Sequence, residues 1–304
     1  MSTTTMLELV TQVTNELGVG TPTAVASNTN QDVIQILALM NAAGYEFLRK
    51  HDWRQLTKQH IFTTSFTVTT GNVALNSYQI TNIPSTAGID DTYQVVGNGL
   101  SNACYVQSVD SATAVTVNLP ATGTYVGTQI TFEKVKYALP ADYNSSVPRT
   151  QWDKSKHWEM LGPTDAQQWE WLLSGYIATG PRIRWRLLGK YFQIWPGVST
   201  NELLGYEYRS VSWAESSAGV PKTSFTADTD TCIYPDRLMV LATKLKYFEA
   251  KGFDTTAMYR NYLEEFEIVR AQDMSSANLS FAPRPGTVLI GYDNTPDTGY
   301  GQAN

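Results

Sequence analysis

Charge is scarce in this chain, cysteine is nearly absent, and long apolar runs are missing. Charged residues fill 16% of 304 positions, and 22 Lys plus Arg face 28 Asp plus Glu, for a net charge of −6. That balance argues against tight nucleic-acid binding through a broad basic face, which needs clustered cations to displace counterions. It suits a surface past which DNA slides without sticking. Cys104 and Cys232 lie far apart without metal-ligand spacing, so two unpaired thiols in a reducing compartment are expected. No window holds the roughly 18 to 20 apolar residues of a membrane span, so no membrane partner is expected. The first residues, MSTTTMLELV, lack the basic and apolar regions of a secretory signal. The poorest stretch is 71–132, where Asp90, Asp91 and Asp110 are the only charges and neither Lys nor Arg occurs.

What the chain has instead is aromatic residues, eight Trp and seventeen Tyr, together with helical periodicity near both ends. The stretch from Asn30 to Leu56 reads as the helix around which the rest is organised. Val33, Ile36, Leu37, Met40, Ala43 or Gly44, Phe47 and Leu48 make one apolar stripe, with Asn30 as cap and Asp32 in the first turn. Its other face carries Gln35, Asn41, Glu46 and Arg49. A first helix over Thr3–Leu17 stops at Gly18. A third long helix starts at Pro235 and ends at Gly252, and a fourth follows a cap at Asp254. Four long stripes predict an α+β protein: a four-long-helix bundle with inserted β-hairpins, a small all-β insertion and an extended C-terminal arm. The expected units are 1–58 with 133–277 as the helical core, 71–132 as the β insertion, and 278–304 as the arm.

Between the helices the composition turns to strands. Gln59–Thr70 is β-like, and YQIT, YQVVG, CYVQSVD, AVTVNL and TQITF are short strands punctuated by Gly, Pro, Asn and Ser. Thr164–Ser174 reads as a short helix capped by Thr164, with Trp169, Leu172 and Leu173 inward. PRIRWRLLGKYFQIWPG reads as a hairpin turning at Gly189-Lys190, its second strand alternating Tyr191, Gln193 and Trp195 against Phe192 and Ile194. Leu203–Val211 supplies another strand. Residues 278–304 combine Pro283, Pro285 and Pro296 with Phe281, Arg284, Val288, Leu289, Ile290 and Tyr292, a composition suited to a docking arm.

Catalytic chemistry finds no foothold, and no cofactor or metal is expected. Asp228 and Asp230 form a D-x-D, but no ordered set of further oxygen ligands surrounds it, so turn capping explains it better than a cation. Asp90-Asp91 and Glu264-Glu265 are adjacent and do not converge on one substrate. His51, His60 and His157 lack the spacing of a zinc site. No nucleophile elbow, P-loop or dinucleotide fingerprint is present. Arg182, Arg184 and Arg186 alternate and share one strand face, either a phosphate-contacting stripe or partners for acids on an adjacent surface.

The run TPTAVASNTNQDVIQILALMNAAGYEFLRKHDWRQLTKQ, then LPADY, QWD, GPRIRW, FTADTDT and LATKLKYFEAKGFD resemble, in that order, the head-to-tail adaptors of short-tailed bacteriophages, the tail tubular protein A-like family. The segment 80–132 is similar to a small β module of phage structural proteins. The resemblance implies a virion protein made in the bacterial cytoplasm. It would form a ring, commonly of twelve copies, between portal protein and tail nozzle around the DNA exit channel. DNA would pass transiently and without sequence preference. Subunits would meet through polar helix faces, and the arm would reach the portal or a neighbour. A rival from another class is a receptor-binding tail component, holding carbohydrate on exposed Tyr78, Tyr93, Tyr105 and Tyr125 of the insertion.

Overall fold

The computed structural model describes residues 4–174 and 182–274. Five α-helices occur among the described residues: α1 (Met6–Leu17), α2 (Gln31–Lys50), α3 (Ala166–Leu173), α4 (Asp236–Lys251) and α5 (Thr256–Asp273). The early strands are β1 (Thr57–Thr63), β2 (Phe66–Val73), β3 (Gln79–Thr81), β4 (Tyr93–Gly97), β5 (Val106–Ser111), β6 (Ala114–Val117) and β7 (Tyr125–Lys134). Then come β8 (Lys136–Ala138), β9 (Tyr143–Ser146), β10 (Trp152–Asp153), β11 (Trp158–Glu159), β12 (Arg184–Leu188), β13 (Tyr191–Trp195) and β14 (Leu203–Ser210). The last are β15 (Ala214–Glu215), β16 (Pro221–Lys222) and β17 (Thr231–Cys232).

The expected four-long-helix bundle is not the architecture. Among the described residues, strand residues outnumber helical ones, and seventeen strands form four sheets around three separate cores. Long helices carry a period that shows in sequence, whereas two-residue strands such as β10, β11 and β15–β17 carry none. Helix periodicity therefore overstated the helical share.

The helical layer is nevertheless built from the expected pieces. At the head of α1 the Glu8 amide donates to Thr5 Oγ1 at 3.3 Å while the Thr5 amide donates to the Glu8 carboxylate at 2.8 Å, a reciprocal capping box. Gly18 closes α1 at φ +69°, and Gly252 closes α4 at φ +75°, the left-handed geometry in which a side chain is strained. Asn30 caps α2 through the Asp32 amide at 3.0 Å. The α2 stripe buries Val33, Ile36, Met40, Ala43, Gly44 and Phe47.

The organising helix, however, is α4. It packs against α1, α2 and α5, and its buried residues Leu238, Met239, Val240, Ala242, Thr243, Leu245 and Tyr247 reach well around the helix. A helix apolar on several faces is central, and its stripe is correspondingly indistinct in sequence. Non-helical residues complete the core: Trp53, Trp213, Phe225, Cys232 and Tyr234 fill it beside Phe47, Tyr262 and Phe266. Gly44 is required there, because a Cβ would enter the Trp213 ring.

A second core lies between the β1-β14-β10-β11 sheet, with β9 paired to β14, and the β12-β13-β8 sheet. Phe192 stacks on Trp185 at 5.2 Å and on Tyr206 at 4.7 Å. Helix α3 covers this core with Trp169 and Leu172; its cap is Asp165, which accepts from the Gln168 amide at 2.6 Å, rather than Thr164. The hairpin turns at Gly189-Lys190, with Leu188 opposite Tyr191. The expected in-out alternation on β13 is absent, because Phe192, Gln193, Ile194 and Trp195 are all buried. That strand is central in its sheet and covered on both faces.

The third core belongs to the six-stranded sheet β4-β7-β2-β3-β6-β5. It runs from Phe66 to Lys134, so its first and last strands extend outside 71–132. Chain entry and exit are adjacent, since the Lys134 amide donates to the Ser65 carbonyl at 2.9 Å.

Candidate interaction surface

Helix α5 buries only Tyr262, Phe266 and Val269. It rests on α4 and reaches α2 through Phe47, whose ring lies 6.4 Å from Tyr262 and 6.3 Å from Phe266. Elsewhere it is open, leaving Tyr259 at 49%, Leu263 at 39% and Ile268 at 53% exposure. Tyr259 and Leu263 stand one turn apart beside the buried stripe. Phe253, in the turn before α5, is also exposed. A helix with so narrow a buried face and several large apolar residues outside it is built to be covered.

The polar face of α2 is less free than its sequence suggests. Asn41 accepts from the Phe225 amide at 2.8 Å and donates to the Phe225 carbonyl at 3.3 Å. Glu46 pairs with Lys246 and Lys50. Those two residues hold the protein's own segments together, and Arg49 alone of the four is exposed.

The two acids of the D-x-D are clasps. Asp230 is buried, accepts Lys222 at 2.7 and 2.9 Å, and accepts the amides of Thr226 and Ala227 at 2.8 and 2.9 Å. Asp228 accepts the amides of Val25 and Ala26 at 3.0 and 2.8 Å. The backbone carbonyls of Asp228 and Asp230 take the first amides of α1, from Leu7 and Met6. This loop thus fastens the N-terminal helix to the C-terminal half of the chain.

Asp142, from LPADY, accepts Lys58 at 2.7 Å, Ser210 at 2.7 Å and Tyr208 at 2.8 Å. Burial alone would raise its pKa, but the Lys58 ammonium and the two hydroxyls outweigh burial and hold it at about 2. Asp153, from QWD, is buried beside buried Glu202. Burial and that second carboxylate push Asp153 up, while Lys156, 2.5 Å from Glu202, holds Glu202 down against its own desolvation. Glu202 Oε2 is buried with no hydrogen-bond partner among the described residues. The pair was not legible in sequence, because Asp153 lies on β10 and Glu202 just before β14, about fifty residues apart. Cys104 and Cys232 are free and buried in different cores, each thiol pushed by burial to about 12.

The arginine stripe is only partly assembled. Arg184 and Arg186 lie on β12 opposite Trp195 and Gln193 and are half-buried; Arg182 precedes the strand and is exposed. None of the three forms an ion pair among the described residues. The four tyrosines of the carbohydrate reading do not make a platform. Tyr93 is buried opposite Lys134, at the far end of β7 from exposed Tyr125, and Tyr125 lies against Gly99 and Gly123. The arm residues Phe281, Arg284, Val288, Leu289, Ile290 and Tyr292 lie outside the described residues. No helix among the described residues is long and apolar enough to cross a membrane. No protein-family model matches the chain, and no curated protein matches it.

Proposed function

We propose that the protein is a structural virion component, a head-to-tail adaptor that assembles as a ring of about twelve copies, the number the resemblance implies, between portal and tail nozzle and surrounds exiting DNA. The ordered motif resemblance suggests the role. The observation that carries assembly is α5, a peripheral helix exposing Tyr259, Leu263 and Ile268 beside a narrow buried stripe. Lateral packing of copies would cover that face. The insertion, with almost no charge, supplies a second surface suited to neighbours in an assembly. On this reading the protein performs no catalysis; its work is to seal a joint and leave a passage.

The test is sedimentation of the full chain with portal rings from the same source, each component also run alone. Co-sedimentation at one copy per portal subunit supports the adaptor role. Leu263→Glu, which changes an exposed position and leaves the core intact, should keep thermal stability and lose the ring. Failure of the wild-type chain to bind portal, with saturable binding of glycan instead, would overturn the proposal in favour of the receptor-binding reading.

A further inference from the structure

A cavity of about 690 Å³ opens where the C-terminal ends of α2 and α5 meet. Arg49, Lys50, Arg54 and Arg270 line it, with His51, Asp52, Asp273 and Met274. Four of the chain's 22 Lys and Arg therefore converge on one concavity. The acids there are already engaged. Asp273 accepts His51 Nε2 at 2.8 Å and the Arg54 amide at 3.1 Å, and Asp52 pairs with Arg209 at 3.3 Å. Lys50 leans on Tyr262 and Glu46, and Arg270 on Glu267. The guanidinium groups of Arg49 and Arg54 have no acid partner among the described residues.

Cations at helix C-termini also answer the helix dipole, which explains Arg49, Lys50 and Arg270. It does not explain Arg54, which lies beyond α2 in the 3-10 turn Arg54–Leu56. The wall behind Arg54 is rigid: Trp53 is buried, packs edge-on against His51 at 4.8 Å, and donates from its indole to the Phe47 carbonyl at 2.9 Å. Two unpaired, planar donor groups over a concave, cation-rich floor match the oxygen fork of a phosphate.

We infer that this cleft is a phosphate site that makes a few weak, sequence-independent contacts to a nucleic-acid backbone. The identity of the macromolecule rests on the adaptor reading; the oxyanion chemistry does not. Two or three phosphate contacts per copy give binding that is salt-labile, weakening by about 10- to 40-fold between 50 and 200 mM salt. Contacts of that strength fit a wall that touches passing DNA without arresting it.

The experiment is an NMR-monitored titration of the full chain with a short duplex at several salt concentrations. Wild-type protein should show shifts confined to the ends of α2 and α5. Arg49→Gln with Arg54→Gln should weaken binding about tenfold at low salt and lower the salt slope by about 2. Unchanged affinity and slope in that variant would overturn the site. Equal binding of polyglutamate at matched charge would also overturn it, assigning the cleft to a carboxylate-bearing protein partner. If the wild-type chain co-sediments with portal yet binds no duplex, the phosphate site fails while the adaptor reading stands.

Discussion

The helical layer and the six-stranded sheet solve the same problem with opposite materials. The helical core gathers residues from Met6 to Val269 and is rich in rings, with Phe47 within 5.0 Å of Tyr234 and also beside Tyr262 and Phe266. The sheet's core runs from Val73 to Phe132 and is mostly Val, Ile and Ala. The first depends on segments about two hundred residues apart; the second is local. Local contacts form without waiting for distant chain, so the sheet should fold and unfold as its own unit. The helical layer needs both ends of the chain, and the Asp228–Asp230 clasp is how they are joined.

The sharpest way to break that comparison is Trp213→Ala. Removing a fully buried ring above Gly44 should cost about 3–5 kcal/mol. Hydrogen exchange should show lost protection in α1, α2 and α4 while amides of β2 and β7 remain protected. Simultaneous loss in both regions would show one cooperative unit. Next in size is Asp230→Asn, which leaves Lys222 without its carboxylate; loss of charge-assisted bonds costs about 2–3 kcal/mol, read as a lower midpoint in chemical denaturation. Again the sheet should be spared.

The second core, between the two regions, sharpens the comparison through pH. Asp142 is held at about 2, below its unfolded value, so its stabilisation is complete above about pH 4 and is lost as pH falls through 2. Asp142→Asn should remove about 1–2 kcal/mol at neutral pH and flatten the acid limb of a stability profile. Asp153 has the opposite sign. Its raised pKa favours the folded state below the ordinary carboxylate range, and that contribution disappears as pH rises through the raised value. Asp153→Asn should therefore reduce the decline on the alkaline side of that window, and an unchanged profile would refute the upward shift of Asp153.

The smallest effect is expected at the seam between sheet and host. The Gly197 amide donates to Gln94 Oε1 at 2.6 Å, and Lys136 pairs with Asp91 at 3.0 Å. Gln94→Ala should cost about 1 kcal/mol. Replacing 66–134 by a short link between Ser65 and Val135 should leave the helical layer's melting within a few degrees of the parent. A large drop would mean the sheet supports the layer it is inserted into.

Much of this was legible in the chain itself. The Asn30 cap, the stops at Gly18 and Gly252, the hairpin turn at Gly189-Lys190 and the charge-poor β stretch all follow from local rules. Asp228 and Asp230 could be read as turn caps, although the segments they fasten could not be named. The candidate surface was harder to read. Asn41 and Glu46 look free on a helical wheel and prove to be engaged by Phe225 and by Lys246 and Lys50. The cation cleft was in view as Arg49, Lys50, His51 and Arg54, yet nothing in sequence shows that Arg270 and Asp273 arrive beside them.

The sequence by itself determined where the four long helices lie, where α1 and α4 stop, and the apolar stripe of α2, because those depend on neighbours within a turn or two. Tertiary structure alone decided that α4 is the centre, that three cores replace one bundle, and that α5 is left half covered. Those outcomes depend on which apolar surfaces meet across hundreds of residues, and one chain's local pattern carries no record of its distant partners.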